Sequence, residues 1–276
     1  MTALQRTWAD RGGRGGLLVL AFLVLLALLG PLALPDPRAQ PDLATGTLRP
    51  PTAAHLLGTD HLSRDVLSRV VTGARVSLSV AVGAVLLAVT LGAGVGVVAG
   101  YAGGWVDAAL MRTVDAALAV PRIFLLLLVT ATMERIPLGA LVLLLGVTGW
   151  FGTSRLVRSE VLRLRALDFV RGAEALGAGP GRIVRQHLLP NVLRPLTVAT
   201  TLAVGDVILL EAGLSFLGLG VQPPMPSWGG MIYEARPYLV DAPWTSLAPG
   251  VAIVLAVLAV NLVGEALAAD RGGLPA

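Results

Sequence analysis

The sequence contains no cysteine and no lysine. Without thiols it can form no disulfide, thiolate nucleophile, zinc–thiolate site or iron–sulfur cluster. Without lysine it has no Walker A loop, Schiff base or lysine general base. Any ATP-driven work in which it takes part must therefore place the nucleotide on another chain. Histidine is scarce: His55, His61 and His187 form no metal-ligand set, and neither G-x-S-x-G nor H-E-x-x-H occurs. Charge is scarce as well. Of 276 residues, 14% are charged and 55% hydrophobic, whereas a soluble domain carries about 25% charged residues. So few charges cannot cover a water-facing surface, and the composition points to a membrane protein.

What charge there is lies at the borders of apolar runs. All 21 basic residues are arginine, and the net charge of +4 reads as membrane topology rather than nucleic-acid binding. Gly16–Leu34 is an uncharged run of 19 residues behind a basic tail, 1–15, with Arg6, Arg11 and Arg14. It is long for a signal-peptide core and no small-residue cleavage site follows directly, so it reads as an uncleaved first span, 16–34. Residues 35–75 read as an external segment that ends in an amphipathic interfacial helix, with Asp65 and Arg69 spaced to pair. A core of five more spans, 76–268, is expected at about 76–101, 109–133, 136–154, 195–218 and 247–267, with a polar loop over 155–194. A short tail, 269–276, follows. The predicted fold class is all-α, a polytopic membrane protein with six transmembrane helices. Both termini are expected in the cytoplasm, because that orientation puts 13 arginines inside and seven outside.

Two patterns within the spans bear on packing. Gly92, Gly96 and Gly100 recur every fourth residue and present a smooth helix face. Gly94, Gly96 and Ala99 also match a dinucleotide fingerprint, which is rejected because no strand–turn–helix can exist inside a continuous apolar run. Three intramembrane charges are candidate pathway or gate residues: Arg122, Asp206 and Glu211. Arg122, next to Pro121, can stabilise a kink or attract a carboxylate. Burying it costs about 2.5–3.5 kcal/mol on insertion scales. Arg112 and Asp115 read as a structural pair. Asp206 and Glu211 are five residues apart and fall on different helix faces. Glu211 is expected to face the bundle interior and accept hydrogen bonds from backbone N–H groups of residues 213–230.

The loop 155–194 holds eight arginines. Val161–Leu176 has a helical apolar pattern, Gly177–Gly181 breaks it, Arg182–Leu189 makes a second short helix, and Pro190 ends that helix. Composition alone favours a basic loop lying on anionic headgroups. The alternative is that exposed apolar residues on a helix–Gly–helix seek a partner surface.

This loop, with Gly177 followed by Leu189-Pro190, resembles the "EAA" loop in permease subunits of binding-protein-dependent ABC importers. Further matches are to the dipeptide/oligopeptide/nickel branch: Gly58-Thr59-Asp60, Ser63 to Arg69, Gly73 to Leu78, Met111-Arg112 with Asp115, and Leu210 to Gly229. Together they cover about residues 16–268 and are most similar to the second, "C", permease of dipeptide transporters. One departure stands out. Where the family has Glu-Ala-Ala, this chain has Arg171-Gly172-Ala173, and the nearest acid is Glu174.

The resemblance implies a multi-pass subunit of the bacterial inner membrane with no catalytic residues and no metal. It would bind no cofactor itself, and ATP would be used by partner subunits. Those partners would be a second, different permease, two cytoplasmic ATPases and an extracytoplasmic solute-binding protein, within membrane lipid and with no nucleic acid. The ATPase-coupling loop would comprise Arg171, Gly172, Ala173, Glu174, Ala175, Gly177, Leu188, Leu189 and Pro190. Leu188 is expected to enter an ATPase groove. The cargo would be peptides or, alternatively, nickel, glutathione or opines. A stand-alone channel or secondary carrier would not need the loop.

Overall fold

A computed structural model describes residues 3–269. The expected tail with Arg271, and the Arg6 side chain, lie outside the described residues. The chain is an all-α polytopic membrane protein. Helix α1 (Ala3–Ala9) leads into α2 (Arg11–Ala33), whose first turn is capped by Asp10 accepting from the Gly13 N–H at 2.7 Å. Residues 34–65 have no helix. Helix α3 (Val66–Ala102) then runs for 37 residues, capped by Asp65 at the Ser68 N–H. At 1.5 Å per residue it is about 55 Å long, well beyond a hydrocarbon core of about 30 Å.

The expected interfacial helix before the second span is therefore not a separate element, because Val66–Arg75 is the first part of α3. The Asp65–Arg69 side-chain pair does not form either. Asp65 instead meets the His55 ring at 2.9 Å, and Arg69 turns to Asp60 and Glu234.

The third apolar segment is two helices, α4 (Gly104–Leu118) and α5 (Arg122–Ala131), bent by 72°. Pro121 sits at the break, where it has no N–H to continue the ladder. The fourth is also interrupted, as α6 (Leu138–Val147) and α7 (Trp150–Arg165), the latter continuing past the expected end at 154. The polar loop folds into α8 (Asp168–Ala175) and α9 (Pro180–Ile183). A π turn over Val184–Leu188 carries α9 without a gap into α10 (Leu189–Phe216). Pro190 thus does not end a helix. It lies in the first turn of α10, where its missing N–H costs little.

Within the expected loop after α10 stands α11 (Trp228–Ala235), capped by Ser227, followed by a 3₁₀ turn and then α12 (Trp244–Ala269). Five of these segments are long and apolar enough to cross a membrane, and α4 with α5 makes a sixth as a bent pair.

Helix α3 is the centre of the bundle, and the glycine ladder explains how closely α7 lies against it. A Cβ on Gly92, Gly96 or Gly100 would come within 2.6–2.9 Å of Thr153, the Ser154 carbonyl or Val161. Only glycine allows that approach. Two apolar cores result. One joins α3, α6, α10 and α12 through Val80, Ala84, Leu141, Ile208 and Ala256. The other fastens the polar end through Val157, Val161, Leu164, Val170, Ile183, Leu188 and Val192.

Candidate functional site

The segment between α7 and α10 folds into a helical knob. Helix α8 begins with Asp168, whose carboxylate suits the positive end of the helix. It ends in a Schellman motif. The Ala178 N–H donates to the Ala173 carbonyl at 3.0 Å, and the Gly177 N–H donates to the Glu174 carbonyl at 2.9 Å. Gly177 is the left-handed residue of that motif, with φ +85°. A Cβ there would meet nothing within 4 Å, so the demand on Gly177 is backbone shape and not clearance.

Val170 and Ile183 are buried and pin α8 and α9 to the bundle. Arg171, Gly172, Glu174, Ala175, Leu189 and Pro190 are exposed and Ala173 is half-buried. Leu188 is not: it is fully buried in the chain's own core. The expectation that it enters a partner's groove is overturned. The most exposed large apolar residues of the segment are Leu176, at 92%, and Phe169, at 46%, ahead of Leu167 and Leu189. Phe169 and Leu176 are seven apart, Leu176 being the C-cap of α8, and line up with Gly172 along one side of the helix. The sequence carries this signal as an i, i+7 apolar pair.

The polar ends of the helices are tied together beside this knob. Arg158 forks onto Asp107 of α4 with bonds of 2.5 and 2.6 Å. Arg155 pairs with Asp115, which Arg112 was expected to hold. Arg165 stacks on Tyr101 and donates to its carbonyl at 2.7 Å.

At the opposite end of α10, Glu211 is fully buried. It does not accept directly from backbone N–H groups as expected. Two serine hydroxyls mediate. Ser77 of α3 donates at 3.0 Å and Ser215 at 2.7 Å. Ser77 in turn accepts from the Trp228 N–H at 3.3 Å, and Ser215 from the Val221 N–H at 3.2 Å. One carboxylate thus joins α3, α10 and the start of α11.

Further out, Asp60 and Glu234 share the guanidinium groups of Arg64 and Arg69, with contacts of 2.5–2.9 Å. Burial would raise the Asp60 pKa, but Arg69 and Arg64 outweigh it and hold the carboxyl below its ordinary value. Asp60, His61 and Glu234 offer ligand atoms within 4.8 Å of one another. Both carboxylates are already committed to arginine, so the cluster is an ion-pair network rather than a cation site. His55 and His61 diverge, the one to Asp65 and the other onto the Tyr238 ring.

Arg122 and Asp206 are brought to one cavity of about 230 Å³ between α3, α7 and α10. Arg122 donates to the Leu145 carbonyl at 2.5 Å and to Thr148 at 3.2 Å, bridging the breaks in the third and fourth segments. Glu211 is not part of this cavity.

Residues 92–269 match the family described as "binding-protein-dependent transport system inner membrane component". The chain belongs to this family. It is 41% identical over 253 residues to the dipeptide transport system permease protein DppC of Alkalihalophilus pseudofirmus, covering 91% of this chain and 82% of that one. It is 38% identical over 266 residues to the protein of the same name from Bacillus subtilis, covering 96% and 82%. It is thus a permease subunit of an ABC transporter of the inner membrane. Its relatives are transport permeases, which is a non-enzymatic role, and a system of this family works with a binding protein.

Proposed function

We propose that this chain imports peptides as one of two different permeases, driven by two cytoplasmic ATPases and loaded by a solute-binding protein from outside. It does no covalent chemistry and binds no cofactor itself. The relatives' names support the cargo, and the α8–α9 knob supports the coupling. In this reading the knob faces the cytoplasm and α11 faces outside. Phe169 and Leu176 enter the ATPase, with Arg171 and Glu174 at the rim.

One observation carries the mechanism: α9 passes through the π turn into α10 without a gap. An ATPase that closes on ATP and pulls the knob therefore moves α10 directly. Helix α10 carries Asp206 toward the cavity and Glu211 into the node beneath α11. The Glu211 node then acts as the outer gate, one of two states being favoured by ATP and the other by the loaded receptor. Nickel is disfavoured as cargo, because the histidines diverge and the nearby carboxylates are engaged by arginine.

The reading is tested with Leu176→Asp in the assembled transporter. The variant should insert normally but lose ATPase subunits on purification. Full ATPase recovery with normal peptide uptake would contradict it.

A further inference from the structure

The cavity between α3, α7 and α10 holds one charge of each sign in an apolar setting. Val85, Ala88 and Val89 form one wall, Leu156 and Ala203 another. Its volume of about 230 Å³ is far above the roughly 10–15 Å³ that one water needs. Arg122 is held in place by its bonds to Leu145 and Thr148. These use two of its five N–H groups and leave the others for the cavity. Asp206 lines the same cavity from α10. The two attract each other electrostatically, but no ion pair closes between them. Asp206 is exposed on the surface of α10, and among the described residues none donates a hydrogen bond to it. A carboxylate in that position is costly against lipid. Away from lipid it faces water, a polar solute or the second permease, and it lines the cavity from α10.

We infer that this cavity is a transient binding site for zwitterionic solutes, with Arg122 receiving a carboxylate and Asp206 an ammonium group. The inference rests on the importer reading and adds a recognition step inside the membrane. The fixed guanidinium gives a planar fork for a terminal carboxylate. The unpartnered carboxylate supplies the counter-charge for a terminal amine. The apolar walls between them accept small side chains without reading them. The pairing of one fixed positive and one negative group thus selects for free termini and not for sequence.

The absence of cysteine from the chain gives a direct test. Ala203→Cys, a small change in the cavity wall, is introduced into the assembled transporter. Modification of this chain by a charged methanethiosulfonate is followed by mass. Millimolar alanyl-alanine should slow modification. N-acetyl-alanyl-alanine amide, blocked at both ends, should not. Asp206→Asn should weaken the protection about tenfold or more, and Asp206→Glu should restore part of it. Equal protection by the blocked peptide, or protection unchanged in Asp206→Asn, would overturn the inference. An Asp206→Asn complex that loses the second permease would also overturn it, by placing Asp206 at the permease interface instead. Peptide uptake by the unmodified transporter is measured alongside. Its failure would count against the importer reading, whereas uptake without protection counts only against the site.

Discussion

The backbone at Gly177 allows a substitution series whose order is fixed in advance. At φ +85°, an L-residue pays about 1–2 kcal/mol for the left-handed conformation, asparagine less because its side chain bonds locally, and a β-branched residue more. No neighbour lies within 4 Å of a Cβ at this position, so side-chain size adds no clash. A penalty of 1–2 kcal/mol lowers the population of the native turn by about 5–30-fold. Loss of the Schellman turn would also release the Ala173 and Glu174 carbonyls from bonds of 2.9–3.0 Å, each worth about 0.5–1.5 kcal/mol. Coupling should therefore fall in the order Gly, Asn, Ala, Val. The assay is peptide-stimulated ATP hydrolysis by the assembled transporter in proteoliposomes, with complex recovery as the control for insertion. An alanine variant equal to wild type, with asparagine as damaging as valine, would refute the backbone argument. It would show instead that the site reads side-chain volume.

Three further outcomes follow from the geometry. Asp60→Asn breaks a buried network and should destabilise the protein by about 3–5 kcal/mol, measured by thermal unfolding in detergent. Because the folded pKa of Asp60 lies below its ordinary 3.8, its contribution is complete above that value and is lost as the pH falls below it. The wild type should lose this increment on acidification and Asp60→Asn should not. Glu211→Gln replaces one of two acceptors with a donor facing a serine hydroxyl already engaged by a backbone N–H. It should destabilise by about 1–3 kcal/mol, less than Glu211→Ala, and a glutamine variant as stable as wild type would exclude the serine node. An impermeant thiol reagent applied to intact cells should label a cysteine at position 224 and not one at 179, and the reverse pattern would invert the proposed orientation.

How much of this was legible in the sequence depends on the range of the interaction. The apolar runs and the glycine ladder were readable because a span and a helix face are local patterns of period 3.6. Gly177 was readable as a breaker for the same reason. The partners of Arg64 and Arg69 were not. Glu234 is 170 residues from Arg64, and no local spacing encodes that pairing. Leu188 and Leu189 show a subtler limit. They are neighbours on the helix, and which one faces inward depends on phase. The π turn, in which the Leu189 N–H donates to the Val184 carbonyl, shifts that phase at this point. A period of 3.6 carried through from α9 therefore cannot assign the inward face. The breaks in the third and fourth segments were half legible. Pro121 announced the first, but the stitch that Arg122 makes to Leu145 needed the fold.

The central claim is that the exposed face of α8 receives an ATPase and passes its motion to α10. Leu176→Cys, carrying a photoactivatable crosslinker, tests this most directly in the assembled transporter. The account predicts crosslinks to an ATPase subunit that change in yield when ATP is bound. Crosslinks only to lipid or to the solute-binding protein, unchanged by ATP, would contradict it.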